Sequence, residues 1–346
     1  MTGTKIKMLA LSLTGECNFV CKYCYASEHD RSKMTIDTAI KALKLTTGMK
    51  DKFVLQFTGG EPLLNYECLK QVVEYVVREK LPAVMQLQTN GSLLNDENAN
   101  FLYRNKVAIG VSLDGKPQVN DKLRLRADGN GATNDILRGI EVLKRNNIAT
   151  GITCVVTADN VGELDGLVEF AYFLGNVRRI GFDLLRGQGR GIGLKAPTTA
   201  DLALAMKKVH DKSLLMERLT GLKIPIAQVE RVNKLAQNQG LCFGHCYAMN
   251  GEAAFVDPTG EIYACSSLVG DKKFYMGNVI TGINKELQDK VSLEIKQSMN
   301  FCRSCKDFAL CGGGCFSRWY GSGCKEEYLA ECALKRAAIE WYETKL

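Results

Sequence analysis

An α/β fold with a parallel sheet, followed by a small cysteine-rich region, is what this sequence predicts, and three observations predict it. Short apolar, β-rich runs alternate with helix-period segments six times; that rhythm stops near residue 240; and cysteines crowd in behind it. Parallel neighbours need crossover connections, which are most often helical, so repeated βα alternation implies a parallel sheet. Periodicity alone does not separate an open doubly wound sheet from a partial barrel.

The strand-like runs, rich in Val, Ile, Leu and Phe, are Lys7 to Leu13, Phe53 to Phe57, Val84 to Gln88, Val107 to Leu113, Ile148 to Val156 and Arg179 to Leu184. Between them, apolar residues recur at helical spacing over Thr35 to Gly48, Tyr66 to Lys80, Asn95 to Asn105, Thr133 to Asn146 and Asn160 to Leu174. Gly187-Gln188-Gly189-Arg190-Gly191 reads as a flexible glycine-rich loop, Thr198 to about Gly240 as a helical bridge, and Glu326 to Lys345 as a last helix. The expected organisation is therefore a βα unit over 1–198, a bridge over 199–240 and a cysteine-rich domain over 241–346.

Composition bounds the function. A chain of 346 residues with 46% hydrophobic and 24% charged content buries a real core. No run approaches ~18 uninterrupted apolar residues and no signal peptide precedes the first strand, so no membrane span is expected and the cytoplasm is the expected location. Fourteen cysteines in such a chain read as reduced metal ligands, not disulfides. The net charge of +7 comes without a basic stripe interleaved with aromatics, which argues against nucleic acid and leaves an acidic peptide or electron donor as a partner.

The most informative stretch is Cys17-x3-Cys21-x2-Cys24, filled as CNFVCKYCY, directly after the first strand. Three thiolates can bind three irons of a [4Fe-4S] cube and leave the fourth iron open to a ligand. Structural zinc wants four closed ligands, and of the three histidines only His29 is near. Thr58-Gly59-Gly60-Glu61-Pro62 follows the second strand, at the edge where α/β sheets bind ligands; two glycines let backbone approach a ligand, and their carbonyls can accept from an ammonium. Gln88-Thr89-Asn90-Gly91 and Ser112-Leu113-Asp114-Gly115 end the third and fourth strands, and Arg124 lies in a charged loop beyond. In the C-terminal part, Cys302-x2-Cys305-x5-Cys311-x3-Cys315 is followed by Cys324 and Cys332 and preceded by Cys242-x3-Cys246 and Gly260-x4-Cys265. Eight thiolates fit two iron-sulfur cubes or two tetrahedral zinc sites.

The three-cysteine loop with its GGEP partner resembles the radical SAM superfamily, whose members bind S-adenosylmethionine on the open iron and cleave it reductively to a 5′-deoxyadenosyl radical. The resemblance implies a partial (β/α)6 TIM-like barrel, with the methionyl amine at Gly59, Gly60 and Glu61, and Tyr23 against the adenine. Asn90 and Ser112 then line the cavity, and Arg124 pairs with the methionyl carboxylate with Ser112 as its hydrogen-bonding partner. A bidentate guanidinium suits a carboxylate, whereas the bland reading is a solvated arginine. The C-terminal cysteines resemble the SPASM domain, which holds two auxiliary clusters. Carried over residue by residue, the first takes Cys242, Cys246, Cys265 and Cys315, and the second Cys302, Cys305, Cys311 and Cys332. Three [4Fe-4S] clusters follow, and Cys68, Cys154 and Cys324 remain, the first two as core residues and Cys324 as the alternative to Cys332 for the last ligand.

Two departures narrow the expectation. Anaerobic sulfatase maturases place an aspartate, the proposed base, directly after the Gly-x4-Cys cysteine, where this chain has Ser266. Many peptide maturases also carry a leader-gripping N-terminal extension, and here about five residues precede the first strand, so a separate peptide-recognition protein is one expected partner. The resemblance implies an oxidoreductase that abstracts hydrogen from a peptide or protein residue and installs a thioether or carbon-carbon crosslink, with flavodoxin or ferredoxin as reductant. The alternatives are formylglycine formation in a sulfatase and, in another class, an iron-sulfur electron carrier or scaffold.

Overall fold

The computed structural model of the protein describes residues 5–46, 50–238, 246–322 and 325–344. Six strands, β1 (Met8–Ser12), β2 (Phe53–Thr58), β3 (Ala83–Thr89), β4 (Ala108–Ser112), β5 (Thr150–Val156) and β6 (Val177–Leu184), lie side by side in sequence order, each parallel to the next. Their outward residues, such as Leu9, Leu11, Phe53, Leu55, Phe57, Leu87, Val111 and Ile152, are buried beneath a shell of helices. Inward positions are small or polar: Gln56, Gln88, Gly110, Ser112, Gly151, Thr153 and Gly181 are only partly buried. The result is an α/β partial barrel with a polar lumen.

Local chemistry agrees with the expected helices. Thr35 caps Ile36–Lys44 by accepting from the Thr38 amide at 3.1 Å, and Asn95 and Asn98 form a reciprocal capping box at the start of Asp96–Arg104. Gly175 ends Leu164–Leu174 in the left-handed conformation that glycine adopts without steric cost. The bridge consists of two helices, Thr199–Thr220 and Ala227–Asn238. The second covers the exposed edge of β6: the Ile180 amide donates to Pro225, and the Gln228 carboxamide bonds both backbone groups of Phe182.

The opposite edge is closed by the C-terminal region. Strand β7 (Ala253–Val256) pairs in parallel with β1, and β8 (Glu261–Tyr263), β9 (Tyr275–Asn278) and β10 (Gly282–Ile283) continue the sheet antiparallel. Among the described residues ten strands thus share one sheet, in the order β10-β9-β8-β7-β1-β2-β3-β4-β5-β6. Beyond it, the helix Lys285–Ser298 and short helical turns carry the cysteines toward a last helix, Lys325–Glu343, which packs against Thr199–Thr220 and Ala227–Asn238. Among the described residues no helix is long and apolar enough to cross a membrane.

Candidate active site

The three-cysteine loop is fastened on every side at the carboxyl ends of the barrel strands. Residues 20 and 22 donate backbone hydrogen bonds to Leu125 and Leu123, at 2.7 and 2.9 Å, so the segment bearing Arg124 runs alongside the cysteines as an added strip of ladder. From the other side, the Gly60 and Glu61 amides donate to Thr14 and Glu16 at 2.7 and 2.8 Å. A Cβ on Gly59 would stand 2.2 Å from the Thr14 carbonyl oxygen, and one on Gly60 2.2 Å from that of Glu16. Both glycines are therefore required by the cysteine loop's own backbone, a reason independent of any ligand.

Glu61 is fully buried, and its carboxylate accepts from the Leu63 amide (3.0 Å), the Thr89 hydroxyl (2.7 Å) and the Asn90 amide (2.7 Å). Burial pushes its pKa up, opposed by those three donors. Its side chain works as a clamp between the loops after β2 and β3. Asn90 extends that clamp: its amide group donates to Asn18 Oδ1 at 2.9 Å and points at Cys17 Sγ, 3.9 Å away. The Phe19 amide lies 3.4 Å from the same sulfur. Two N–H groups thus face the first thiol.

The glycine-rich loop expected to be flexible is laid onto the cysteine loop. Arg190 donates through Nε to the Cys21 carbonyl (2.8 Å) and through its amide to the Cys24 carbonyl (3.0 Å), and a Cβ on Gly189 would stand 2.6 Å from the latter. Close approach, rather than mobility, explains that glycine.

Arg124 is 5% exposed, which removes the solvated reading. Its Nε lies 2.9 Å from Asp114 Oδ2, and Nη2 donates to Oδ1 at 3.2 Å. Sequence reasoning gives this fork to the methionyl carboxylate, with Ser112 as partner. In the structure that edge holds Asp114, and Ser112 instead accepts from the Gln88 amide at 2.9 Å. Asp114 also accepts from the Tyr23 hydroxyl and the Val155 amide, and the guanidinium carbon lies 5.4 Å from the centre of the Tyr23 ring. Asp114 stands in the SLDG motif that the resemblance places along the cavity, and its pairing with Arg124 comes from the structure. A carboxylate at a strand end, ten positions before an isolated arginine, was the available signal.

The donor set fits a cluster with one open iron. Cys17 is exposed, Cys24 half-buried and Cys21 buried, and burial raises the Cys21 thiol to about 11, with Arg124 and Arg190 drawing it back down. Thiols so disfavoured as bare anions ionise when iron supplies the compensating charge. His29 is packed against Tyr25 and Phe255, and burial lowers it to about 4, leaving it a neutral ring.

In the C-terminal region Cys302, Cys305, Cys311 and Cys332 line one cavity of about 690 Å³, walled also by Phe301, Phe308, Trp319 and Tyr328. Cys246, Cys265 and Cys315 form a second group; burial first, and then the neighbouring Cys315 and Cys265, raise the Cys246 thiol to about 12. Cys242 and Cys324 lie outside the described residues. Among the described residues no three His, Cys, Asp or Glu side chains close on a single metal ion, whereas a cube asks each thiolate for its own iron. Cys68 and Cys154 are buried in the core, as expected, with the Cys154 sulfur 3.7 Å from the Asp114 carbonyl oxygen. Ser266 accepts from the Tyr25 hydroxyl at 3.1 Å, joining the residue after Cys265 to the residue after Cys24.

Comparison with known proteins follows the geometry. Residues 11–171 match the radical SAM superfamily. An uncharacterized protein of Methanocaldococcus jannaschii is 32% identical over 77% of this chain and 86% of its own length. The radical SAM cyclopropyl synthase TigE of Paramaledivibacter caminithermalis is 25% identical over 91% of this chain and 68% of its own. Among solved structures, native anSMEcpe with bound AdoMet and a Kp18Cys peptide superposes with a TM-score of 0.81 over 98% of this chain and 97% of that one, at 22% identity, a likeness of fold. With the matched segment spanning the cysteine loop, the GGEP clamp and Arg124, the chain belongs to the radical SAM superfamily.

Proposed function

We propose that this protein is a peptide- or protein-modifying radical SAM enzyme that holds three [4Fe-4S] clusters and installs a thioether or carbon-carbon crosslink. The observation that carries the reading is the loop of Cys17, Cys21 and Cys24, fixed by hydrogen bonds at the mouth of a polar lumen, with one buried arginine beside it. When bound, the first cluster and S-adenosylmethionine supply a 5′-deoxyadenosyl radical able to take hydrogen from an unactivated carbon.

The chain's own residues supply placement. Cys17, Cys21 and Cys24 would hold three irons. Gly59 and Gly60 would offer carbonyls to the methionyl amine, while Glu61 keeps that loop and Asn90 in register. Arg124, already oriented by Asp114, would bring its cation to the methionyl carboxylate, and Tyr23 and Ser112 would line the remaining wall. Cys242, Cys246, Cys265 and Cys315 would hold one auxiliary cluster, and Cys302, Cys305, Cys311 and Cys332 the other. The relative named a cyclopropyl synthase supports covalent modification of a substrate by this architecture. Ser266 in place of an aspartate favours crosslinking over formylglycine formation, since a serine without a positioned base is a poor proton acceptor.

The test incubates reduced enzyme with a cysteine-bearing peptide encoded beside its gene and, separately, with a Cys-x-Pro-x-Arg sulfatase peptide. Loss of two hydrogens and an alkylation-resistant cysteine in the first is expected. An aldehyde in the second would replace crosslinking by sulfatase maturation.

A further inference from the structure

The cavity lined by Cys302, Cys305, Cys311 and Cys332 contains two tyrosines whose hydroxyls are treated differently. Tyr320 donates its hydroxyl to Asp271 at 2.9 Å. Tyr328 is 3% exposed, and its hydroxyl is buried with no hydrogen-bond partner among the described residues. A buried hydroxyl without a partner is rare and calls for an explanation.

Its position supplies one. Tyr328 lies on the last helix, one turn before Cys332, and its ring meets Phe301 edge-on with centroids 5.8 Å apart, which fixes its direction. The hydroxyl reaches across Gly314: a Cβ there would fall 1.5 Å from the Tyr328 oxygen, so only glycine leaves it room. Gly314 belongs to the run Cys311-Gly312-Gly313-Gly314-Cys315. The oxygen therefore sits against the wall of the cavity that Tyr328, Gly314, Cys302 and Cys332 line together, with Glu331, Cys302, Cys332 and Cys315, in that order, the charged or ionisable groups acting on it.

We propose that the Tyr328 hydroxyl donates a hydrogen bond to a sulfur of the cluster held by Cys302, Cys305, Cys311 and Cys332 and raises that cluster's reduction potential. The inference rests on the reading that these four cysteines hold a cluster. Hydrogen bonds to sulfur are among the determinants of iron-sulfur potentials, and a donor stabilises the reduced, more negative form.

The experiment is a spectroscopically monitored redox titration of anaerobically reconstituted full-length protein, with iron counted beforehand. Tyr328→Phe keeps the ring and removes only the donor. It should retain wild-type iron and lower the midpoint of one auxiliary cluster by about a tenfold change in the reduced-to-oxidised ratio, ~59 mV for a one-electron couple. Tyr320→Phe, whose hydroxyl is satisfied elsewhere, should leave every midpoint in place. Wild-type midpoints in Tyr328→Phe with full iron would overturn the hydrogen bond alone. Unchanged iron after Cys302→Ala together with Cys305→Ala would overturn the cluster assignment and the inference with it.

Discussion

The two cysteine regions are built on opposite principles. Around Cys17, Cys21 and Cys24 the protein supplies its own scaffold: Glu61, Asn90, Arg190 and the strip beside Arg124 all bond the loop, so its shape follows from the barrel. Around Cys302, Cys305, Cys311 and Cys332 aromatic side chains share the wall with glycines and the charged Glu331 and Lys335, and the cysteines come from short helical turns and one distant helix, lining about 690 Å³. The first site is prepared by folding; on the proposed reading the second would draw part of its folding free energy from the metal it holds.

The largest expected effect sharpens that contrast. Cys302→Ala with Cys305→Ala should remove about four of roughly twelve irons and markedly lower the thermal midpoint, because metal-ligand bonding there is folding free energy. Cys17→Ala with Cys21→Ala and Cys24→Ala should also remove about four irons yet leave the midpoint close to wild type, while abolishing cofactor cleavage. Equal thermal losses in the two variants would erase the distinction.

Next comes the buried ion pair. Arg124→Ala strands Asp114, and breaking a buried pair by removing one partner costs about 3–5 kcal/mol. It should also weaken S-adenosylmethionine binding by roughly ten- to hundredfold, with cluster content unchanged. Chemical denaturation and a binding titration read the two effects separately. Glu61→Gln replaces one acceptor oxygen of a three-donor clamp by an amide. It should cost about 1–3 kcal/mol and loosen the first site without touching auxiliary iron.

Legibility in the sequence follows the same divide. The six parallel strands were readable because each is followed by an amphipathic segment long enough to show its period, and the CNFVCKYCY loop because its ligands are local. Strands β7 to β10 were not, being two to four residues long, with β7 taking its register from β1, far away in the chain. The helix Pro117–Leu123 was too short to declare itself. Asp114 was read as part of a strand-end motif, and only the fold brings it to Arg124. Gly59 and Gly60 were noticed for a ligand's sake, while the structure adds a requirement from the backbone of Thr14 and Glu16.

The smallest expected effect is at Ser266. If its hydroxyl only bonds Tyr25, Ser266→Ala should lower product formation by less than about tenfold, the scale of one neutral hydrogen bond. A complete loss of product with cofactor cleavage intact would make Ser266 part of the chemistry.

Most direct is the production of 5′-deoxyadenosine from S-adenosylmethionine by reduced protein lacking Cys302 and Cys305. A first site prepared by the barrel alone should still cleave the cofactor when the second cavity is empty of iron, and should stop when Cys17, Cys21 and Cys24 are replaced. Absence of 5′-deoxyadenosine from the Cys302/Cys305 variant, with the iron of the first cluster demonstrably present, would contradict the claim that the two sites are built independently.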